Sequence, residues 1–193
     1  MYNIDFLTKN KNKKPFLAIM IGIPGSGKST IAKEITESYK RVREEEVYII
    51  SSDAIRAEVL SSAEDQSNNE LVFKIFHKRI KEHLSLGENV IADATNMSIK
   101  SRASILSLVG VKKYIKIAYV VDTSLEESKK RNRNRDRKVP EFVLEKMVHQ
   151  FQIPYYEEGF DVILLHNWEE SKLNSEAKDK IDILLMMIFF LIN

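Results

Sequence analysis

Residues 16–30, Phe16-Leu17-Ala18-Ile19-Met20-Ile21 and then Gly22-Ile23-Pro24-Gly25-Ser26-Gly27-Lys28-Ser29-Thr30, decide how the rest of the chain is read. An apolar run too short to span a membrane enters a glycine-rich turn, and helix-compatible residues from Thr30 to Tyr39 follow directly. The order is strand, phosphate loop, helix. Gly22, four residues, then Gly27-Lys28-Ser29 has the spacing of a nucleoside-triphosphate loop, whose glycines let main-chain N–H groups curl around phosphate oxygens without Cβ clashes. Gly22, Pro24, Gly25, Ser26, Gly27 and Thr30 would form that cradle. Lys28 would reach the β- and γ-phosphates of ATP as a point charge, and the Ser29 hydroxyl would offer Mg²⁺ an oxygen. A dinucleotide fingerprint is excluded, because it needs glycine or alanine at position 30 and finds Thr30.

A chain of 193 residues is expected to be one domain over 15–193 behind a polar tail at 1–14, with a core that needs no disulfides. It has no cysteine, which removes thiol catalysis and zinc–thiolate sites and fits a reducing, cytoplasmic setting. The lysines before Phe16 imitate a secretory leader, but cleavage there would destroy the loop, so the run reads as a buried strand. The net charge of +2 is unevenly spread. Seven of the ten residues from Lys129 to Lys138 are basic, and the chain outside that window is acidic. The positive field is therefore local, as an anion site requires.

Further along, Val47 to Ser52 reads as a second buried strand ending on Asp53, with Arg56 one turn later. Ser61 to Asn69 is polar and turn-like, a candidate flap. From Glu70 to Leu86 a helix is expected to bury Leu71, Ile75, Ile80 and Leu84 and to stop at Gly87; His77 and His83 on it have no recognisable metal partners. Asn89 to Ala92 makes a third strand ending in Asp93, followed by Ala94-Thr95-Asn96. A helix over Ser98–Val109 and a fourth strand over Tyr114–Val121 come next. Ser124 suits an N-cap with Glu126 and Glu127 behind it, and Pro140 suits the first turn of a helix reaching Phe151. Phe160 to Leu165 is a fifth strand. Ile183 to Ile192 is ten apolar residues, within a C-terminal helix expected over about 176–192, buried or forming a homodimer contact; at this length it is no membrane anchor. Strands alternating with helices, and apolar throughout, predict a parallel sheet covered on both faces, an α/β three-layer sandwich with ligands at the carboxyl ends of its strands.

On that edge Asp93 would stand on the magnesium side and Asp53 would act as general base toward an acceptor hydroxyl, with Arg56 clamping an acceptor phosphate. Arg131, Arg133, Arg135 and Arg137 alternate across a helix-to-loop break. They suit a lid over about 129–152 that stabilises transition-state charge and stands open when empty because its charges repel.

GIPGSGKST, SSDAIR, IADATN and RNRNRDRKVP, in this order and spacing, resemble the kinase domain of bacteriophage and bacterial polynucleotide 5′-kinases, and more loosely related P-loop kinases, over Phe16 to Phe151. The resemblance implies an adenylate-kinase-like five-stranded sheet in the order 2-3-1-4-5, ATP and Mg²⁺ on Lys28 and Ser29, and Asp53 activating the acceptor hydroxyl. It also implies Arg56 and Asn96 on the acceptor side and Arg135 as the lid arginine on the transferring phosphate, with Arg131 or Arg133 as alternatives in a neighbouring register. The acceptor expected is the 5′-OH of a polynucleotide. A small-molecule or aminoacyl-tRNA kinase and a non-catalytic ATP-binding switch are the competing readings.

Overall fold

In the computed structural model, residues 14–59, 68–110, 114–135 and 138–167 are described. Five strands form one all-parallel sheet in the order β2-β3-β1-β4-β5: β1 Phe16–Ile21, β2 Val47–Ser51, β3 Asn89–Asp93, β4 Ile115–Asp122 and β5 Val162–Asn167. This is the order the resemblance implied. Every side chain of β1 is buried, since successive residues point to opposite faces and both faces are covered. Leu17, Ile19 and Ile21 join one core with Val72, Phe76, Ile80 and Ile105, whereas Phe16, Ala18 and Met20 join another with Ile31, Ala32, Ile35 and Tyr39.

Six α-helices connect and cover the strands among the described residues: α1 Lys28–Arg43, α2 Ser52–Val59, α3 Asn69–Leu86, α4 Ile99–Leu106, α5 Leu125–Arg133 and α6 Glu141–His149. Local chemistry sets their ends. The side chains of Asn68, Ser98 and Ser124 accept the main-chain N–H groups of Leu71, Ser101 and Glu127, and Gly87 takes φ 85° to end α3.

Several boundaries differ from the sequence reading. The first helix begins at Lys28, not Thr30, and runs on to Arg43. Strand β2 stops at Ser51, so Asp53 lies in the first turn of α2 instead of closing the strand. Helix α3 buries Val72, Phe76, Ile80 and Leu84; Leu71 is exposed and Ile75 only half-buried, because the apolar run LVF offers two helical phases and the i, i+4 row from Val72 is the one that meets the sheet. The helix after Ser98 ends at Leu106 in a 3₁₀ turn over Ser107–Val109. Pro140 occupies the N-cap of α6 and not its first turn, and β5 starts two residues later than expected. The N-terminal tail at 1–13, most of the flap, Arg137 and the apolar stretch 183–192 lie outside the described residues, and with them the dimer contact.

The registers fix where the strands end. Met20 pairs with Asp93 and Asp93 with Ser51, so β1, β3 and β2 arrive together at the carboxyl edge. Gly22, Asp93 and the start of α2 therefore meet at one level.

Candidate active site

The phosphate loop turns between β1 and α1. Gly27 holds φ 103° at the N-cap of α1, and no side chain caps that helix, so its first N–H groups face the cleft. A Cβ on Gly22, at φ 155°, would come within 2.8 Å of both Ser26 Oγ and Val121 O. This uncapped 16-residue helix behind a loop with no room for a Cβ at Gly22 or Gly25 fits a polyphosphate.

A cleft of about 580 Å³ opens over the loop. Pro24, Gly25, Gly27, Lys28, Ser29 and Thr30 line one side; Asp53 and Arg56 of α2 and Phe73 of α3 line another; Arg131 and Arg135 enter from α5 and the residues after it. Lys28 is buried and its Nζ donates to Ile23 O at 2.8 Å. Burial lowers its pKa to about 8, with the Arg135 charge adding to the effect and Asp93 and Asp53 opposing it. Ser29 Oγ donates to Asp93 Oδ2 at 2.7 Å. Burial raises the Asp93 carboxyl, against the Ser29 hydrogen bond and the Lys28 charge that lower it. These two oxygens sit together beside the uncapped helix end, the donor set Mg²⁺ takes when phosphate and water supply its other ligands.

Across the cleft, Arg135 Nη2 donates to Asp53 Oδ2 at 2.9 Å, both side chains half-buried. Arg56 is buried nearby and its Nη2 donates to Asn69 Oδ1 at 2.6 Å. Lys28, Ser29, Asp93, Asp53, Arg56, Arg131 and Arg135 thus share one cleft, as the sequence predicted.

Other predicted residues stand elsewhere. Asn96 is 4% exposed and does not line the cleft; its Nδ2 donates to the carbonyls of Met20, Ala92 and Ala94, and its φ of 47° places it at the corner after β3. Gly22 and Ser26, within the loop, are buried and do not line the cleft. Gly22 N–H donates to Thr95 O and Ser26 N–H to Ile23 O, while Ser26 O accepts from Thr123 Oγ1 at 2.9 Å and from Arg131 Nη1 at 3.4 Å. Arg133 points away to Glu141, so the register choice narrows to Arg131 and Arg135.

In the basic stretch Lys129 reaches Glu126, Glu141 and Glu145, Arg131 reaches Glu127, and Arg133 reaches Glu141, so acids from α5 and α6 offset part of the repulsion expected there. Asn132 closes the loop with Nδ2 on Val139 O at 2.8 Å and Oδ1 receiving Val139 N–H at 3.1 Å. His77 contacts Ser104 at 3.2 Å and is lowered in pKa by burial, and His83 stacks on Tyr48.

Sequence reasoning missed Arg102, whose bidentate pair with Glu158 is almost wholly buried, and the cleft's apolar wall of Phe73, Val139, Val143 and Met147. The wall could have been foreseen from α6, where Val143 and Met147 are four residues apart on one helix side.

A family model described as an AAA domain matches residues 17–154. Over 173 residues the chain is 24% identical to a bifunctional polynucleotide phosphatase/kinase of Schizosaccharomyces pombe, covering 81% of this chain and 36% of that protein. A chain in the structure of the Pnkp1/Rnl/Hen1 RNA repair complex superposes with a TM-score of 0.62 at 28% identity, over 79% of this chain and 48% of that one. Kti12 of Chaetomium thermophilum, solved in complex with ADP-AlF3, shares the fold with a TM-score of 0.62 at 18% identity, over 79% of this chain and 89% of its own. The chain therefore spans about a third of the curated relative and about half of the repair-complex chain.

Proposed function

The chain belongs to this AAA-domain family of P-loop proteins and is kinase-like within it, and from that premise we propose that it transfers the γ-phosphate of ATP to the 5′-hydroxyl of a polynucleotide. The observation that carries the reading is one cleft lined by both Asp53 and Lys28 over the phosphate loop, with Arg135 bonded to Asp53 and its charge felt at Lys28.

Each residue then has a task. The α1 end and Lys28 hold the β- and γ-phosphates, and Ser29 with Asp93 would hold Mg²⁺, which supplies charge neutralisation on the phosphates. Asp53 accepts the proton of the acceptor hydroxyl as its oxygen bonds to the γ-phosphorus and the bond from that phosphorus to the β–γ bridging oxygen breaks; ADP leaves. Arg135 exchanges Asp53 for the transferring phosphoryl group, and Arg131 supports it from the loop side. Arg56, on the Asp53 side, suits an acceptor phosphate, and Phe73, Val143 and Met147 give a nucleoside an apolar surface. The polynucleotide acceptor is further supported by what the phosphatase/kinase relative is named for.

The test uses γ-labelled ATP with a 5′-hydroxyl oligonucleotide, tRNA, nucleosides and small alcohols as acceptors. Label at the oligonucleotide 5′ end is expected, and Asp53→Asn should lower the rate by about 10²–10⁴-fold with ATP binding retained. Labelling of small alcohols with oligonucleotides inert would replace the acceptor by a metabolite. No labelling at all, with ATP bound, would leave a nucleotide-binding switch.

A further inference from the structure

Arg102 of α4 is fully buried and lines no part of the cleft, yet all three of its guanidinium nitrogens donate hydrogen bonds. Nε and Nη2 donate to the two carboxylate oxygens of Glu158 at 2.7 Å each, and Nη1 donates to Gln152 O at 2.9 Å and Asn96 O at 3.2 Å. The Glu158 contact alone gives no reason for arginine, because a buried ion pair roughly offsets its own desolvation and apolar residues could fill the same space. What only the planar fork supplies is the second nitrogen edge, which joins two carbonyls from separate segments.

Those segments matter to the site. Asn96 closes the turn that begins with Asp93, and that turn is fastened to the end of β1 through Asn96 Nδ2 on Met20 O at 2.8 Å and to the start of the phosphate loop through Gly22 N–H on Thr95 O at 3.1 Å. Gln152 lies where the chain leaves the lid after α6. Its N–H donates to Met97 O at 3.0 Å and its Oε1 accepts Ile99 N–H at 2.8 Å. At the lid's other root, Thr123 Oγ1 is bonded to Ser26 O.

We propose that Arg102 is a positioning residue for phosphoryl transfer: it ties the exit of the lid to the turn carrying Asp93, so that α5 and α6 are hung at both ends from the main chain of the phosphate site and Arg135 is held at a fixed height over it. The kinetic part of this inference rests on the kinase reading above. Arg102 touches no substrate; it acts through Gln152 and Asn96.

Arg102→Lys separates the tether from the ion pair, since lysine keeps a positive charge against Glu158 but cannot also reach both carbonyls. Misplacing a lid arginine by about 1 Å should lower kcat by about tenfold or more while the KM for ATP, set by the loop, stays within about twofold. A purely structural ion pair predicts that lysine restores kcat, and a folded Arg102→Lys enzyme with wild-type kcat would overturn the proposal. Gln152→Ala keeps the main-chain bond to Arg102 and removes the parallel bond from Oε1 to Ile99 N–H, so kcat should fall in the same direction by less than in Arg102→Lys, and the double variant should be worse than either single one. An unchanged kcat in Gln152→Ala would count against a fastening of the lid exit at this point even where Arg102→Lys does not fold. Hydrogen exchange supplies the arm that needs no turnover. ATP should protect residues 125–149 in the wild type, and in Arg102→Lys that protection should be lost while residues 22–35 keep theirs. Equal protection of the lid in both proteins would sink the tether. A wild type that binds ATP and phosphorylates no acceptor would sink the kinase reading alone.

Discussion

The buried lysine of the phosphate loop makes ATP affinity a function of pH in a direction its geometry dictates. Lys28 is held at about 8 because burial penalises its charged form, whereas the same group in the unfolded chain titrates near 10.5. Phosphate oxygens around Nζ reverse the penalty and favour the ammonium. Below about pH 8 the free site already carries the proton and binding needs no uptake; above it, binding must recruit a proton and affinity falls as pH rises. With Lys28 at about 8 when free and its charged form favoured by bound phosphate, the dissociation constant at pH 9.5 should exceed that at pH 7 by up to about 30-fold, or about 2 kcal/mol. Calorimetry at the two pH values, each in two buffers of different ionisation enthalpy, reads both the constant and the proton count. Lys28→Met should bind ATP weakly and with little pH dependence over that range. Equal constants at the two pH values in the wild type, with no proton taken up at the higher one, would refute the reasoning.

Two further outcomes follow from the same site. Gly25 sits at φ 83° with the Ser128 carbonyl of α5 where a Cβ would go, so Gly25→Ala should cost about 2–4 kcal/mol through strain and overpacking and lower Tm by about 5–15 °C in a thermal melt. Asp93→Asn keeps the size of the side chain but removes its charge beside Ser29, and should raise the Mg²⁺ concentration for half-maximal activity by about tenfold or more, read by metal titration at saturating ATP.

What the chain discloses in one dimension follows the reach of each interaction. The phosphate loop is local: its glycines, lysine and serine act within one turn, and their spacing carries the geometry. The sheet was legible because strands buried on both faces are apolar throughout. Asp53 was placed on the correct rim though not on the correct element, since a boundary between strand and helix at Ser51-Ser52 has no glycine or proline to mark it. Arg133 was grouped with Arg131 and Arg135 by alternation, a strand's period. On α5 the period is helical, so Arg133 turns to the far side and meets Glu141. Asn96 was read by motif as a ligand, and its bonds to three carbonyls at a left-handed corner are ones no local pattern announces. Arg102 and Glu158 are far apart in the chain and have the composition of ordinary surface residues, so only the fold reveals their pairing.

Strands β2, β3 and β1 reach the cleft in step, Ser51 beside Asp93 beside Met20. A residue gained or lost inside any one of them would invert its faces and lift its part of the site out of line, so strand length here should be nearly immutable over evolutionary time. Freedom lies in what is hung from that edge: the stretch joining α2 to α3 and the two-helix cover can lengthen, shorten or be exchanged without disturbing the three-strand datum. New acceptors should therefore be reached by grafting those pieces, with the seat for the triphosphate inherited unaltered.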